Sequence, residues 1–99
     1  MLIRIVKMTF EPSEVDNFLE LFDQVKDKIR LSDGCEHLEL MKDLNNPNSF
    51  STYSHWRDED ALNAYRNSHL FDQVWAETKA KFSEKPIAFS LENYITVNP

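Results

Sequence analysis

Basic charge, cysteine and glycine are scarce in this chain of 99 residues, and each scarcity excludes something. Lysine and arginine together number 11 against 17 acidic residues, for a net charge of −6. A phosphate backbone needs a cationic footprint that such a chain does not offer, so nucleic acid is not expected as a partner. Cys35 is the only cysteine, which rules out an internal disulfide and a cysteine-based zinc site and fits a reducing, cytoplasmic setting. Gly34 is the only glycine, so glycine-rich phosphate loops and dinucleotide fingerprints are excluded, as is the G-x-S-x-G hydrolase turn. Long apolar runs are missing too. Arg4 and Lys7 break up the N-terminal apolar residues where a signal peptide would keep an unbroken core, and no later run approaches membrane-spanning length. A membrane is not expected as a partner.

What is present is a clear alternation of strand-like and helix-like patterns. Leu2 to Phe10 is rich in Ile, Val, Met and Phe and predicts a strand with one wetter face or end. Pro12 stops it and suits the first position of a helix, in which Val15, Phe18, Leu19, Phe22, Val25 and Ile29 recur at helical spacing. The other side carries Asp16, Glu20, Asp23, Asp27 and Lys28, a solvated face in its simplest reading. This helix ends near Gly34, a natural positive-φ position. Cys35 to Lys42 alternates again. Asn45, Asn46, Pro47 and Asn48 make a turn, and a second strand follows in which Phe50, Thr52, Ser54 and Trp56 share the inward face.

Asp58, Glu59 and Asp60 then open a helix, where N-terminal amides favour carboxylates. Its stripe of Ala61, Leu62 and Tyr65 is interrupted at Asn67 and Ser68. It resumes with Phe71, Val74, Trp75, Thr78 and Phe82, so the helix is expected to be split at Ser68. Pro86 ends the region, and Ile87, Phe89 and Leu91 begin a last strand expected to run to about Ile95. The order is βαββαβ over a single domain of residues 1–99. It predicts an α+β, ferredoxin-like arrangement, a four-stranded antiparallel sheet with the helices on one face. The opposite face is left open. A chain this short hides only about 60 to 65% of its unfolded surface, so a second copy is expected to cover that face as a homodimer.

Two groupings bear on chemistry. A register that puts Leu38 and Leu40 beside Phe50, Thr52 and Trp56 collects Cys35, His37, Glu39, Met41, Tyr53 and His55 on the open face. His37, Glu39 and His55 suffice in kind for a divalent metal. Mutual hydrogen bonding is the commoner arrangement, and no metal is expected there. Near the helix break, His69 either acts as a base or sits in water at the start of the second helical segment.

The run from Ser51 through Trp56 to Leu62, continuing through Tyr65, Ser68 and Phe71 to Trp75, resembles the antibiotic biosynthesis monooxygenase family, which includes quinol monooxygenases. The resemblance covers nearly the whole chain. It implies a dimeric α+β barrel, and for some members oxidation of anthrones or quinols by molecular oxygen with no metal or organic cofactor. Trp56 matches the tryptophan lining the pocket of anthrone-oxidising members. The asparagine those members place four residues earlier is Thr52 here, and the tyrosine six residues later is Leu62. In the haem-degrading branch the axial histidine falls at Trp75, the pocket tryptophan at Tyr65 and the N-terminal asparagine near Val6, so no haem ligand carries over.

The expected site is therefore an aromatic box. Thr52, Trp56, Leu62, Tyr65, Phe71 and Trp75 would bind a small aromatic substrate, with Trp56 and His69 as the catalytic candidates and Tyr65 as a second choice of base. No cofactor is expected. An ionised quinol can itself pass an electron to oxygen, so the protein need only orient it, help remove a proton and exclude water. The rival expectation is a non-catalytic dimeric binder of small molecules with the same fold.

Overall fold

A computed structural model describes residues 1–99. It contains strand β1 (Leu2–Thr9), a single 3-10 turn (Pro12–Glu14), helix α1 (Val15–Arg30), strands β2 (Cys35–Lys42) and β3 (Ser49–Trp56), helices α2 (Glu59–Arg66) and α3 (His69–Lys79), and strand β4 (Ile87–Leu91). The strands form one sheet in the order β2-β3-β1-β4, and every neighbouring pair is antiparallel. This is the ferredoxin-like α+β arrangement. The crossover through α1 carries the chain from β1 past β3 to β2, and the one through α2 and α3 carries it from β3 past β1 to β4.

Local chemistry sets the boundaries. Asp58 caps α2 by accepting the Ala61 N–H at 2.8 Å, and Ser68 caps α3 by accepting the Phe71 N–H at 3.1 Å. The Ser68 hydroxyl also donates to the Tyr65 carbonyl at 2.6 Å. One short side chain thus closes the first helical segment and opens the second, which explains the split at this residue. In the β2–β3 turn, the Asp43 carboxylate accepts the N–H groups of Asn45 and Asn46 at 2.8 and 2.9 Å. Those two donors hold its pKa below the usual carboxylate value. Gly34 has φ +82°, and a Cβ placed there would collide with the Ala61 methyl. The turn into β2 and the start of α2 therefore touch through a position only glycine fills.

Cross-strand rows define two faces of the sheet. On the helix side, Arg4 lies between Ser90 and Ser54, and Val6 lies between Ala88 and Thr52. On the other side, Ile3 lies between Leu91 and His55, and Ile5 between Phe89 and Tyr53. The helix side holds two buried clusters. One comprises Met8, Phe10, Phe18 and Phe50, with Phe10 and Phe18 stacked at 4.2 Å. The other comprises Cys35, Trp56, Ala61 and Leu62.

Four expectations need correction. Cys35 does not share the open face with His37. A β-bulge between them places Cys35 opposite Trp56, and the extra residue, Glu36, reverses the pleat so that the thiol joins the core. Pro12 begins a 3-10 turn and α1 starts three residues later, at Val15. Phe82 lies beyond α3, which ends at Lys79; it pairs with Phe10 in an isolated bridge while its ring still contacts Trp75 at 5.6 Å. β4 stops at Leu91 rather than Ile95, with all five of its residues exposed.

Candidate functional site

Between the two buried clusters the sheet and helices line a partly open cavity of about 250 Å³. Its sheet side is built from Arg4, Val6 and Met8 of β1, Leu38 of β2, Thr52, Ser54 and Trp56 of β3, and Ala88 of β4. Its helical side comes from Phe18, Phe22 and Ile29 of α1, Leu62, Tyr65 and Arg66 of α2, and Phe71, Val74, Trp75 and Thr78 of α3. The volume lies just below the usual range for ligand pockets, roughly 300–1,000 Å³, and suits a small aromatic molecule.

All six residues expected to bind substrate, namely Thr52, Trp56, Leu62, Tyr65, Phe71 and Trp75, line this one cavity. Their rings form two stacked pairs. Trp56 lies on Tyr65 at 4.9 Å and 25°, and Phe71 on Trp75 at 5.8 Å and 12°. Tyr65 meets Phe71 edge-on at 5.3 Å, so the two pairs present walls at a steep angle to one another. Offset and edge-on arrangements of this kind are the favoured geometries for aromatic rings.

His69 is placed elsewhere. It is the first residue of α3, exposed, and takes no part in lining the cavity. The indole N–H of Trp56, the polar group that this catalytic candidate would offer a ligand, donates to Ser54 Oγ at 3.0 Å. Trp56 is only 1% exposed. It therefore meets the cavity as an aromatic surface with its donor already used.

Burial pushes the Tyr65 phenol up to about 12, with a smaller contribution from nearby Cys35. At neutral pH it is a hydrogen-bond donor and not a base. Arg4, Tyr65 and Arg66 are the only ionisable residues lining the cavity. Burial, and secondarily the charge of Arg66, hold the Arg4 guanidinium below its usual range. The sequence reading missed both arginines. The signal for Arg4 was its phase, in step with Val6 and Met8 on the inward side of β1; for Arg66 it was adjacency to Tyr65 at the end of α2.

On the opposite sheet face His37, Glu39, Tyr53 and His55 do come together. His37 Nε2 and Glu39 Oε1 are 2.6 Å apart, the two imidazoles lie 4.9 Å apart, and Tyr53 meets His55 at 5.0 Å. No group of three or more His, Cys, Asp or Glu side chains in the molecule is arranged to hold a metal ion.

Sheet order, helical cover and an aromatic cavity between them define a small ferredoxin-like protein with a ligand-sized site. The chain belongs to the antibiotic biosynthesis monooxygenase family, whose model matches residues 1–77. Among solved structures it is similar to an antibiotic biosynthesis monooxygenase, with a TM-score of 0.89, 21% identity and coverage of 96% of this chain and 100% of that one. A conserved protein from Methanosarcina mazei Go1 superposes with a TM-score of 0.88 at 20% identity, covering 95% and 94% of the two chains. Rv0793 from Mycobacterium tuberculosis gives 0.87 at 16% identity, covering 98% of each chain. These likenesses establish the shared fold. No curated protein matches the sequence. No helix is long and apolar enough to cross a membrane.

Proposed function

We propose that this protein is a cofactor-independent monooxygenase that oxidises a small electron-rich aromatic, a quinol, anthrone or related polyphenol, with molecular oxygen. Family membership supports a monooxygenase-type activity in general. The observation that carries the finer reading is the chain of four aromatic rings in contact, Trp56, Tyr65, Phe71 and Trp75, along one cavity.

The chemistry asks little of such a site. A phenol with an open ring position plus O₂ gives a quinone plus water: one oxygen atom enters as the new carbonyl, the other leaves in water, and the ring supplies all four electrons. An anthrone methylene reacts with the same balance. The ionised aromatic passes the first electron to oxygen, so the protein contributes orientation and exclusion of water. Stacked rings orient a planar ligand. The hydroxyls of Thr52 and Tyr65, neither of which is hydrogen-bonded within the protein, are among the groups free to meet its oxygen substituents. In this proposal His69 has no part, and the proton is lost to solvent, either within the site or, for a substrate that binds already ionised, before binding.

The working unit in this reading is a homodimer in a reducing, cytoplasmic setting. The exposed apolar residues of β4 on the open sheet face support the dimer, and the single free, buried thiol is in keeping with the setting. A rival reading, a binder without catalysis, is favoured by one observation: no carboxylate or imidazole lines the cavity. Oxygen uptake by metal-stripped protein offered hydroquinones and anthrones separates the two. Turnover above the spontaneous rate supports the oxygenase, and tight binding without uptake supports the rival.

A further inference from the structure

Arg4 and Arg66 are the only formal charges on the cavity, in a protein whose 17 acidic residues outnumber its 11 basic ones. None of those carboxylates answers them. The ion pairs of the molecule join Lys26 to Asp23, His37 to Glu39, and Arg57 to Asp33 and Asp58. Arg4 makes one side-chain hydrogen bond, from Nη1 to Ser90 Oγ at 3.1 Å, and Arg66 makes none. A guanidinium carries five N–H donors in a planar fork, so most of the donor capacity of this pair is unused. Arg66 at the end of α2 has the helix terminus to favour its charge; Arg4, in the middle of a central strand and half-buried, has no such compensation.

We propose that the cavity takes its planar aromatic ligand as an anion, with the charged oxygen group held by Arg4 and Arg66 and the ring held in the Trp56, Tyr65, Phe71 and Trp75 box. This rests on the reading of the cavity as the substrate site and names the substrate class: an aromatic that carries a carboxylate or binds as its phenolate. The burial of Arg4 and, secondarily, the mutual repulsion of the two cations, which already hold its pKa down, are both offset when an anion sits beside them. The same arrangement accounts for a site with no base. Two nearby cations lower the pKa of a bound phenol, and so do by electrostatics what an imidazole or carboxylate would do by accepting the proton.

The test compares two probes of one shape, 2-naphthoate and 2-naphthalenemethanol, binding to the full chain at pH 7. The fluorescence of Trp56 and Trp75, the only two tryptophans and both on the cavity, is the readout. The carboxylate is expected to bind at least about tenfold more tightly, an advantage reduced several-fold in Arg66→Gln and in Arg4→Gln and weakened by added salt. The neutral alcohol reports whether the cavity itself survives each substitution, and Arg66, exposed at a helix end, is a site where folding is not at stake. A second arm follows 4-nitrophenol by absorbance, whose bound form is expected to ionise about one pH unit below the free form. A naphthoate preference alone supports the inference with a carboxylate as the group; a downward nitrophenol shift alone supports it with a phenolate. Equal binding of acid and alcohol together with an unshifted nitrophenol overturns it while leaving an aromatic pocket intact. So does a preference that survives unchanged in both variants. Failure of every probe to bind overturns both this inference and the substrate-site reading beneath it.

Discussion

Trp56 and Ser54, two residues apart on the helix-facing side of β3, are joined by a side-chain hydrogen bond from the indole N–H to the serine hydroxyl at 3.0 Å. Both residues are buried. The bond satisfies the one polar atom of the largest fully buried side chain, and so lets an entire indole serve as a wall between core and cavity.

Ser54→Ala leaves that N–H buried without a partner, and its expected cost is about 1–3 kcal/mol. Trp56→Phe removes the donor as well, at about 1–2 kcal/mol for the smaller ring. Because both changes delete the same bond, the double variant should be less destabilised than the sum of the two. Urea denaturation of the four proteins measures the coupling. Strict additivity would show that the bond contributes nothing. For ligands, Trp56→Phe should weaken all aromatics alike, since the indole offers them a surface and not a donor.

The Tyr65 phenol, raised by burial to about 12, ties stability to alkaline pH. An unfolded tyrosine titrates near 10, so between about pH 10 and 12 the unfolded chain loses a proton that the folded protein keeps. Stability is then complete below pH 10 and falls as pH rises through the folded pKa, by roughly 2–3 kcal/mol in all. Cys35 is also raised by burial, so the comparison must be with Tyr65→Phe. That variant should show a shallower decline across the window. Parallel curves for the two proteins would remove the linkage.

Much of the fold was legible because its signals are local. Alternation placed β1, β2 and β3, helical spacing placed α1, and Ser68 marked the break between α2 and α3 through its own hydroxyl. All six residues expected to bind substrate line one cavity, because the phase of β3 and the helical stripe each point a periodic set of side chains to one side. The misses were non-local. Nothing in the residues around Cys35 announces that Glu36 is the extra residue of a bulge, since the bulge exists only in relation to β3. Phe82 kept its place in the aromatic cluster after leaving the helix, as a bridge to Phe10 serves as well as another helical turn. Arg4 was read as a wet spot on a strand. Its phase with Val6 and Met8 was the available signal, and the register that sets it beside Ser54 and Ser90 shows that it faces the cavity.

Gly34 tests the joint between β2 and α2. Gly34→Ala adds strain at a positive φ, at about 1–3 kcal/mol, and drives a methyl into that of Ala61. Ala61→Gly in the same chain removes the collision but not the backbone strain, so the double variant should recover stability relative to Gly34→Ala alone, despite the helix cost of glycine. Thermal melts distinguish the terms. Absence of any recovery would mean that φ alone dictates glycine at this turn.

The open face of the sheet carries the last prediction. Its rows run Leu91–Ile3–His55–His37 and Phe89–Ile5–Tyr53–Glu39 from edge to edge, and the edge strand leaves Ile87, Phe89 and Leu91 between 43% and 56% exposed. An apolar patch of this kind on a single chain is costly in water, and a second copy laid against it by twofold symmetry would bury it on both sides at once. Light scattering at micromolar concentration should therefore give twice the 11.7 kDa chain mass. Phe89→Lys puts a charge into the proposed interface without touching the cavity lining, and should raise the dimer dissociation constant by roughly ten- to a hundredfold. Circular dichroism should report the same secondary structure for the variant. A native chain that stays monomeric at millimolar concentration would remove the dimer, while a Phe89→Lys dimer of undiminished affinity would move the interface to another face.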